Sequence, residues 1–179
     1  MIDFCTLRSL KKCFPWVKRL ILIVCLLSTF HIINEHFFKI VIVNGNSMVP
    51  TLEDGQIVIV KLGNEQIDHS DIVLLNAADY SSTQDYWLKR VIGVADDVVE
   101  LNSTADVVAI NGESVHEPYT QQVATIKDNK GDTSVYKVPK DHYFVMGDNR
   151  SHSVDSRSQG IGPIPASLIL GKVVHIVSP

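Results

Sequence analysis

Metal-ligand spacing is missing from this chain, and so are cysteines over most of its length. The three cysteines, Cys5, Cys13 and Cys25, all precede or lie within an N-terminal apolar run. Whatever follows must hold together without disulfides, although an oxidising compartment permits them. Seven histidines (His31, His36, His69, His116, His142, His152 and His175) are scattered, none paired at a recognised metal spacing. The formal net charge is −4, so nothing points to nucleic acid. There is no internal repeat, no low-complexity tract and, beyond residue 36, no long helical period. Alanine does not occur before Ala77. A cleaved secretory leader needs small residues ahead of its cut, typically alanine, so removal of the N-terminus is not expected.

What is present begins with Lys11, Lys12, Lys18 and Arg19, grouped just before the apolar run Leu20–Phe30, which continues weakly to Ile33. A bilayer span needs roughly 20 apolar residues, and the strict run is shorter. Trp16, Val17 and the aliphatic stems of Lys18 and Arg19 extend it at one end, and His31-Ile32-Ile33 at the other. A buried core helix is the plain alternative. The reading adopted is an uncleaved signal anchor over residues 16–35, with residues 1–15 cytoplasmic and residues 36–179 outside.

Past the anchor the pattern turns to short β-rich segments. Ile40–Val43 runs into the turn signal Asn44-Gly45, and Gln56–Lys61 follows Asp54-Gly55. Ile72–Leu75, Trp87–Val94, Val98–Leu101, Tyr143–Met146 and Lys172–Val177 are further predicted strands. Val107–Ile110 precedes Asn111-Gly112, a strong hairpin turn. The more polar residues 102–140, with Asp128–Asp132 as an exposed hairpin tip, read as a β insertion between two halves of a core. The fold class expected is mainly β.

Three segments carry chemistry. They are Gly45–Leu52 with Ser47, Trp87–Gly93 with Lys89, and Gly147–Arg157 with Ser153. Singly, each has an ordinary reading: a turn serine, a solvated lysine, a charged surface loop. Together they suggest a hydroxyl nucleophile, an amine base and a polar platform for the base. A serine hydroxyl needs an adjacent base, and a lysine serves only when neutral. Burial among apolar groups lowers an amine pKa. Trp87, Lys89 and Val91 share one strand face, and the neutral-lysine hypothesis sets that face against a membrane-proximal apolar surface.

These three segments resemble the signature boxes of bacterial type I signal peptidase, a membrane-bound serine protease. Ser47-Met48-Val49-Pro50-Thr51-Leu52 looks like the nucleophile box and Lys89-Arg90-Val91-Ile92-Gly93 like the lysine box. Gly147-Asp148-Asn149-Arg150, Ser153, Asp155-Ser156-Arg157 and Gly160 look like the third signature, and the ending Gly162-Pro163-Ile164-Pro165 with Gly171-Lys172-Val173 also fits. The resemblance runs from the anchor to the C-terminus. It implies a compact β-rich catalytic domain with a small insertion, preceded by one transmembrane helix. It implies that Ser47 attacks the scissile carbonyl, that Lys89 accepts its proton, and that Ser153 hydrogen-bonds the lysine amine. Asp155 is expected to pair with Arg157, and Asp148 with Arg90. Two departures stand out. Gly45 takes a place where some members have a serine whose hydroxyl serves the oxyanion, leaving the Ser47 N–H as the evident donor. Ser70 replaces the glycine usual before Asp71.

The resemblance further implies signal peptides of secreted preproteins as partners, cut after alanine-type small residues. Such a peptide would add as a strand beside Ile40–Asn44 and the segment before Lys89. The expected pocket lining is Val41, Val43, Met48, Leu52, Trp87 and Leu88. The lipid bilayer is the other partner, in a bacterial cytoplasmic membrane with the catalytic domain on its outer face. No cofactor, metal or nucleic acid is expected. His152, beside Ser153, invites a histidine triad, but Lys89 already supplies a base. Alternatives are a pilus or conjugation maturation protease of the same family, and an anchored β domain that binds peptides without cutting them. Retention of Ser47, Lys89 and Ser153 together argues against the latter. A self-cleaving repressor ranks lower, because a membrane segment stands where its DNA-binding domain would be.

Overall fold

The computed structural model describes residues 15–29, 37–63, 66–81, 85–102, 108–120 and 133–177. The chain forms two compact units, residues 1–38 and 39–179. In the first, residues 15–29 are helical. Among the described residues no helix is long and apolar enough to cross a membrane. The side chains from Leu20 to Val24 are exposed.

The second unit is built from β1 (Phe38–Ile42), β2 (Ile57–Leu62), β3 (Ile72–Asn76), β4 (Tyr86–Gly93), β5 (Val98–Leu101), β6 (Val108–Ile110), β7 (Glu113–Val115), β8 (Ser134–Lys137), β9 (His142–Met146), β10 (Ile164–Pro165) and β11 (Ile169–Val177). A seven-stranded sheet has the order β1-β2-β11-β3-β4-β9-β10, and a four-stranded sheet the order β7-β6-β5-β8. The small sheet thus begins at Val98, not at residue 102: β5 leaves the main sheet because it pairs with β6 and β8. The expected strands recur with ends moved by a residue or a few. β7, β8 and β10 were not predicted. β7 is exposed throughout and β10 is two residues long, so neither carries the alternation that marks a half-buried strand. The Asp128–Asp132 tip lies outside the described residues.

In β2, Val58 and Val60 are fully buried while Ile57 faces out, the period-two pattern of a half-covered strand. β4 is buried from Trp87 to Gly93, as a central strand covered on both faces must be. One core cluster gathers Met48, Leu52, Val58, Val60, Leu74 and Leu88 beneath the Ser47 turn. A second gathers Trp87, Val91, Val73, Leu75, Val145 and Ile164. A third joins the two sheets through Ile92, Val99, Leu101, Phe144 and Met146. The sheets close on each other at Gly93, where a Cβ would stand 2.6 Å from Val99 Cγ2. A glycine at this place is therefore a packing requirement.

Candidate active site

Ser47 sits in the turn after β1, and Lys89 in the middle of β4. Lys89 Nζ lies 2.8 Å from Ser47 Oγ. Lys89 is 4% exposed, and its Nζ is 5.5 Å from the Trp87 ring centroid. Burial pushes the Lys89 ammonium from its ordinary 10.5 down to about 8; the Asp155 charge opposes that shift, Arg157 adds to it and Asp148 opposes it. The interior of the domain itself supplies this dehydration. The expectation that the Trp87–Lys89–Val91 face meets a lipid-side surface is corrected: Trp87 and Val91 pack into the core with Val73 and Val145.

The Gly147–Arg157 segment holds both partners. The Asn149 N–H donates to the Ser47 carbonyl at 3.0 Å, and Asn149 Nδ2 donates to the Asn46 carbonyl at 3.0 Å. A Cβ on Gly147 would overlap the Ser47 carbonyl oxygen and the Ser153 side chain, so the loop approaches the serine turn at a distance that glycine alone permits. Asp148 accepts from Arg90 Nε at 2.8 Å and Nη2 at 2.6 Å, and from Thr51 Oγ1. Asp155 is fully buried and accepts from Arg157 Nε and Nη2, each at 2.8 Å, and from the Gly147 N–H at 2.9 Å. Burial alone would raise the Asp155 pKa; the Arg157 hydrogen bonds and charge, then the Gly147 amide, hold it below the usual carboxylate range.

One expected contact is not made. Ser153 Oγ is buried without a hydrogen-bond partner of normal geometry among the described residues. Its hydroxyl is still near enough to Asp155 to help hold that acid down. The lysine amine turns to Ser47 instead, and Ser153 is wedged against Gly147.

A cleft of about 290 Å³ opens beside the pair, lined by Val41, Val43, Met48, Trp87 and Leu88 among others. Leu52, expected on its wall, is fully buried in the core under the serine turn. The cleft has two strand edges. β1 is the outer strand of its sheet, and Tyr86 to Lys89 pair with β3 while β9 begins its pairing only at Arg90. A second hollow, about 450 Å³, shares Ser47, Trp87 and Lys89 and is bounded by Tyr80, His152 and Val154. His152 is exposed and bonds Ser151, not the serine of the pair.

The two glycine departures have structural consequences. The Gly45 N–H donates to Asp54 Oδ1 at 2.7 Å, so it is not available to an oxyanion. No bond from the Ser47 N–H forms among the described residues. Ser70 has φ 69°, a left-handed conformation that glycine adopts without strain.

Nothing in the sequence singles out Glu117 or Tyr119, and Thr51 and Arg150 stand there as members of a motif without a role of their own. Arg150 Nη2 donates to Glu117 Oε1 at 2.6 Å, with both side chains buried. Tyr119 donates to the same oxygen at 2.8 Å, and its ring lies 4.0 Å from the Arg90 guanidinium carbon. Among the described residues no group of histidine, cysteine and carboxylate side chains could hold a metal ion.

A hydroxyl beside a dehydrated amine, with two strand edges next to it, can carry out acyl transfer on an extended peptide. The signal peptidase, peptidase S26, family model matches residues 13–178. Signal peptidase I of Bacillus amyloliquefaciens is 35% identical over 174 residues, covering 92% of this chain and 84% of that protein. Signal peptidase I P of Bacillus subtilis subsp. natto is 38% identical over 177 residues, covering 92% and 88%. A crystal structure of a signal peptidase I from Enterococcus faecalis V583 aligns with 25% identity and a TM-score of 0.48, covering 65% of this chain and all of that one. The chain belongs to the signal peptidase family, peptidase S26, and is a serine endopeptidase.

Proposed function

We propose that this chain removes N-terminal signal peptides from exported preproteins, cutting after small residues by a Ser47–Lys89 acyl-enzyme mechanism while anchored in a bacterial cytoplasmic membrane. The observation that carries the reading is the 2.8 Å approach of Lys89 Nζ to Ser47 Oγ, with the amine's pKa brought to about 8. Neutral Lys89 takes the hydroxyl proton as Ser47 Oγ bonds to the scissile carbonyl carbon. The oxyanion receives the Ser47 N–H. The C–N bond then breaks, the lysine passes its proton to the leaving amine, and an ester on Ser47 remains. Water, deprotonated by the same amine, hydrolyses that ester.

The signal peptide would lie as a strand between β1 and the open edge of β4. Shallow walls of Val43, Met48 and Leu88 leave room for small side chains. Anchoring is supported by the N-terminal apolar run behind Lys18 and Arg19. The catalytic unit adds an outward apolar edge: Ile40 and Ile42 are 71% and 66% exposed, and on the next two strands in, β2 and β11, Ile57 and Val177 stand directly opposite each other. The test is incubation of detergent-solubilised protein with a preprotein ending its signal in Ala-x-Ala. Wild type should release the mature chain and Ser47→Ala should not. Cleavage by purified Ser47→Ala would refute the nucleophile assignment, and refusal of the generic peptide by wild type would favour a pilus-type substrate.

A further inference from the structure

We infer that Glu117 and Tyr119, from the segment following the small-sheet hairpin, are positioning residues for the Ser47–Lys89 pair, acting as a brace between the two arginines that flank it. The inference rests on the dyad reading above.

The residues touching the pair are held by two arginines. Arg90 follows Lys89 in β4. Arg150 follows Asn149, which grips the serine turn through both its main chain and its side chain. Arg90 is tied to Asp148 on one side, and its guanidinium lies over the Tyr119 ring on the other. Arg150 is bound at Nε to the Gly147 carbonyl, 3.2 Å away, and at Nη2 to Glu117. The Tyr119 hydroxyl closes the circuit on the Glu117 carboxylate. One short turn therefore contacts both arginines, and through them the lysine strand and the serine loop.

The brace is half-buried and internally fixed. The Glu117 side chain is 6% exposed. Thr120 returns its N–H and hydroxyl to the Glu117 carbonyl, at 3.2 and 3.1 Å. Burial, with the Glu117 carboxylate beside it, pushes the Tyr119 phenol above its ordinary value, so the ring stays a neutral donor. Neither residue lines the clefts around Ser47, so the brace reaches the pair from outside those walls. Loosening the brace should therefore move the reacting groups without altering the substrate walls. A displacement near 1 Å costs about 100-fold in rate.

The test measures kcat and KM on detergent-solubilised full-length protein, with kcat normalised to active sites titrated by a serine-acylating probe. Glu117→Ala and Tyr119→Leu should each lower kcat by about 10- to 100-fold with KM within about twofold. Glu117→Gln, which keeps an acceptor, and Tyr119→Phe, which keeps the ring, should recover much of it. A merely structural role would lower the amount of folded enzyme and leave kcat per titrated site unchanged, and that result overturns the inference. So does a rise in KM with kcat intact. Should the two harsher variants fail to fold, Glu117→Gln and Tyr119→Phe decide: each should keep a residual loss of about two- to fivefold in kcat per titrated site with KM unchanged, and an undiminished kcat in both overturns the inference. Ser47→Ala run alongside separates the two readings: cleavage there refutes the dyad, whereas full kcat in the brace variants with Ser47→Ala dead refutes the brace alone.

Discussion

Lys89 and Arg90 are neighbours on one strand, both buried cations, with opposite surroundings. Arg90 has a bidentate carboxylate in Asp148, the Ser70 carbonyl at 2.7 Å, the Thr51 hydroxyl at 3.3 Å and an aromatic face. Lys89 has a neutral hydroxyl and the indole ring of Trp87. The nearest carboxylates act on it only at a distance, and Arg157 cancels part of their effect. Alternation along β4 sends successive side chains to opposite faces, so one strand can bury a paired charge and an unpaired one side by side. Pairing keeps a cation charged inside a protein; dehydration without pairing makes its proton easier to lose. The charge state of a buried base is thus set by what its neighbours withhold.

The severest challenge to this contrast is to make position 89 permanently charged. Lys89→Arg keeps a cation where the proposed mechanism needs a free lone pair, and guanidinium does not lose its proton in a protein. Cleavage should fall by roughly 10⁴-fold or more, with no recovery as pH rises. Wild-type kcat/KM should instead climb through pH 8, the value to which burial brings Lys89. A normal rate in the arginine variant, or a wild-type profile flat from about pH 6 to 10, would remove the neutral amine from the mechanism.

Breaking the paired side should cost stability first. Asp148→Asn leaves Arg90 buried without its counter-charge, a loss of about 3–5 kcal/mol, read by urea unfolding at neutral pH. Because the Asp148 charge raises the Lys89 pKa, the folded fraction should also show its activity limb at lower pH. An unchanged midpoint of unfolding would mean that the pair contributes little.

Removing the unpaired charge should do the reverse. Lys89→Met no longer asks the fold to hold a dehydrated ammonium, a penalty of roughly 3 kcal/mol below pH 8. The sign follows from linkage: between about 8 and 10.5 the unfolded lysine is protonated and the folded one is not, so wild-type stability rises with pH across that window. The methionine variant should be inactive, more stable at neutral pH, and progressively less advantaged as pH approaches 10.5. Equal stability at neutral pH would show that Lys89 carries no burial penalty.

Much of this contrast was legible in the residues themselves. The three boxes are local, and the third brings its own ion pair by short spacing, Asp155 with Arg157. The strands with a buried face announced themselves by apolar runs or alternation, and Asn111-Gly112 turns as its φ values of 54° and 83° require. What stayed hidden depends on distance in the chain. Glu117 and Tyr119 lie in a polar stretch with no periodicity, and nothing local indicates that their polar groups are buried against Arg150 and Arg90. Leu52 reads equally well as wall or core, because an apolar side chain one turn from a cleft satisfies both. Ser153 is the subtler case: the motif brings it to the site, but whether its hydroxyl reaches the lysine amine depends on packing against Gly147 that no spacing encodes.

The gentlest probe acts on the paired side through the backbone. Ser70 gives its carbonyl to Arg90 Nη1 and its N–H to the Val91 carbonyl at 2.8 Å, while held at φ 69°. A left-handed residue with a Cβ costs roughly 1–2 kcal/mol, and a glycine there returns about 0.5–1 kcal/mol of that as unfolded-state entropy. Ser70→Gly should therefore stabilise the fold by up to about 1 kcal/mol, seen as a small rise in the urea midpoint. Its carbonyl still binds Arg90, so the pH at which activity climbs should stay near 8. A shift of that pH would mean that the turn at residue 70 tunes Lys89 through Arg90, and that the two faces of β4 are coupled rather than separate.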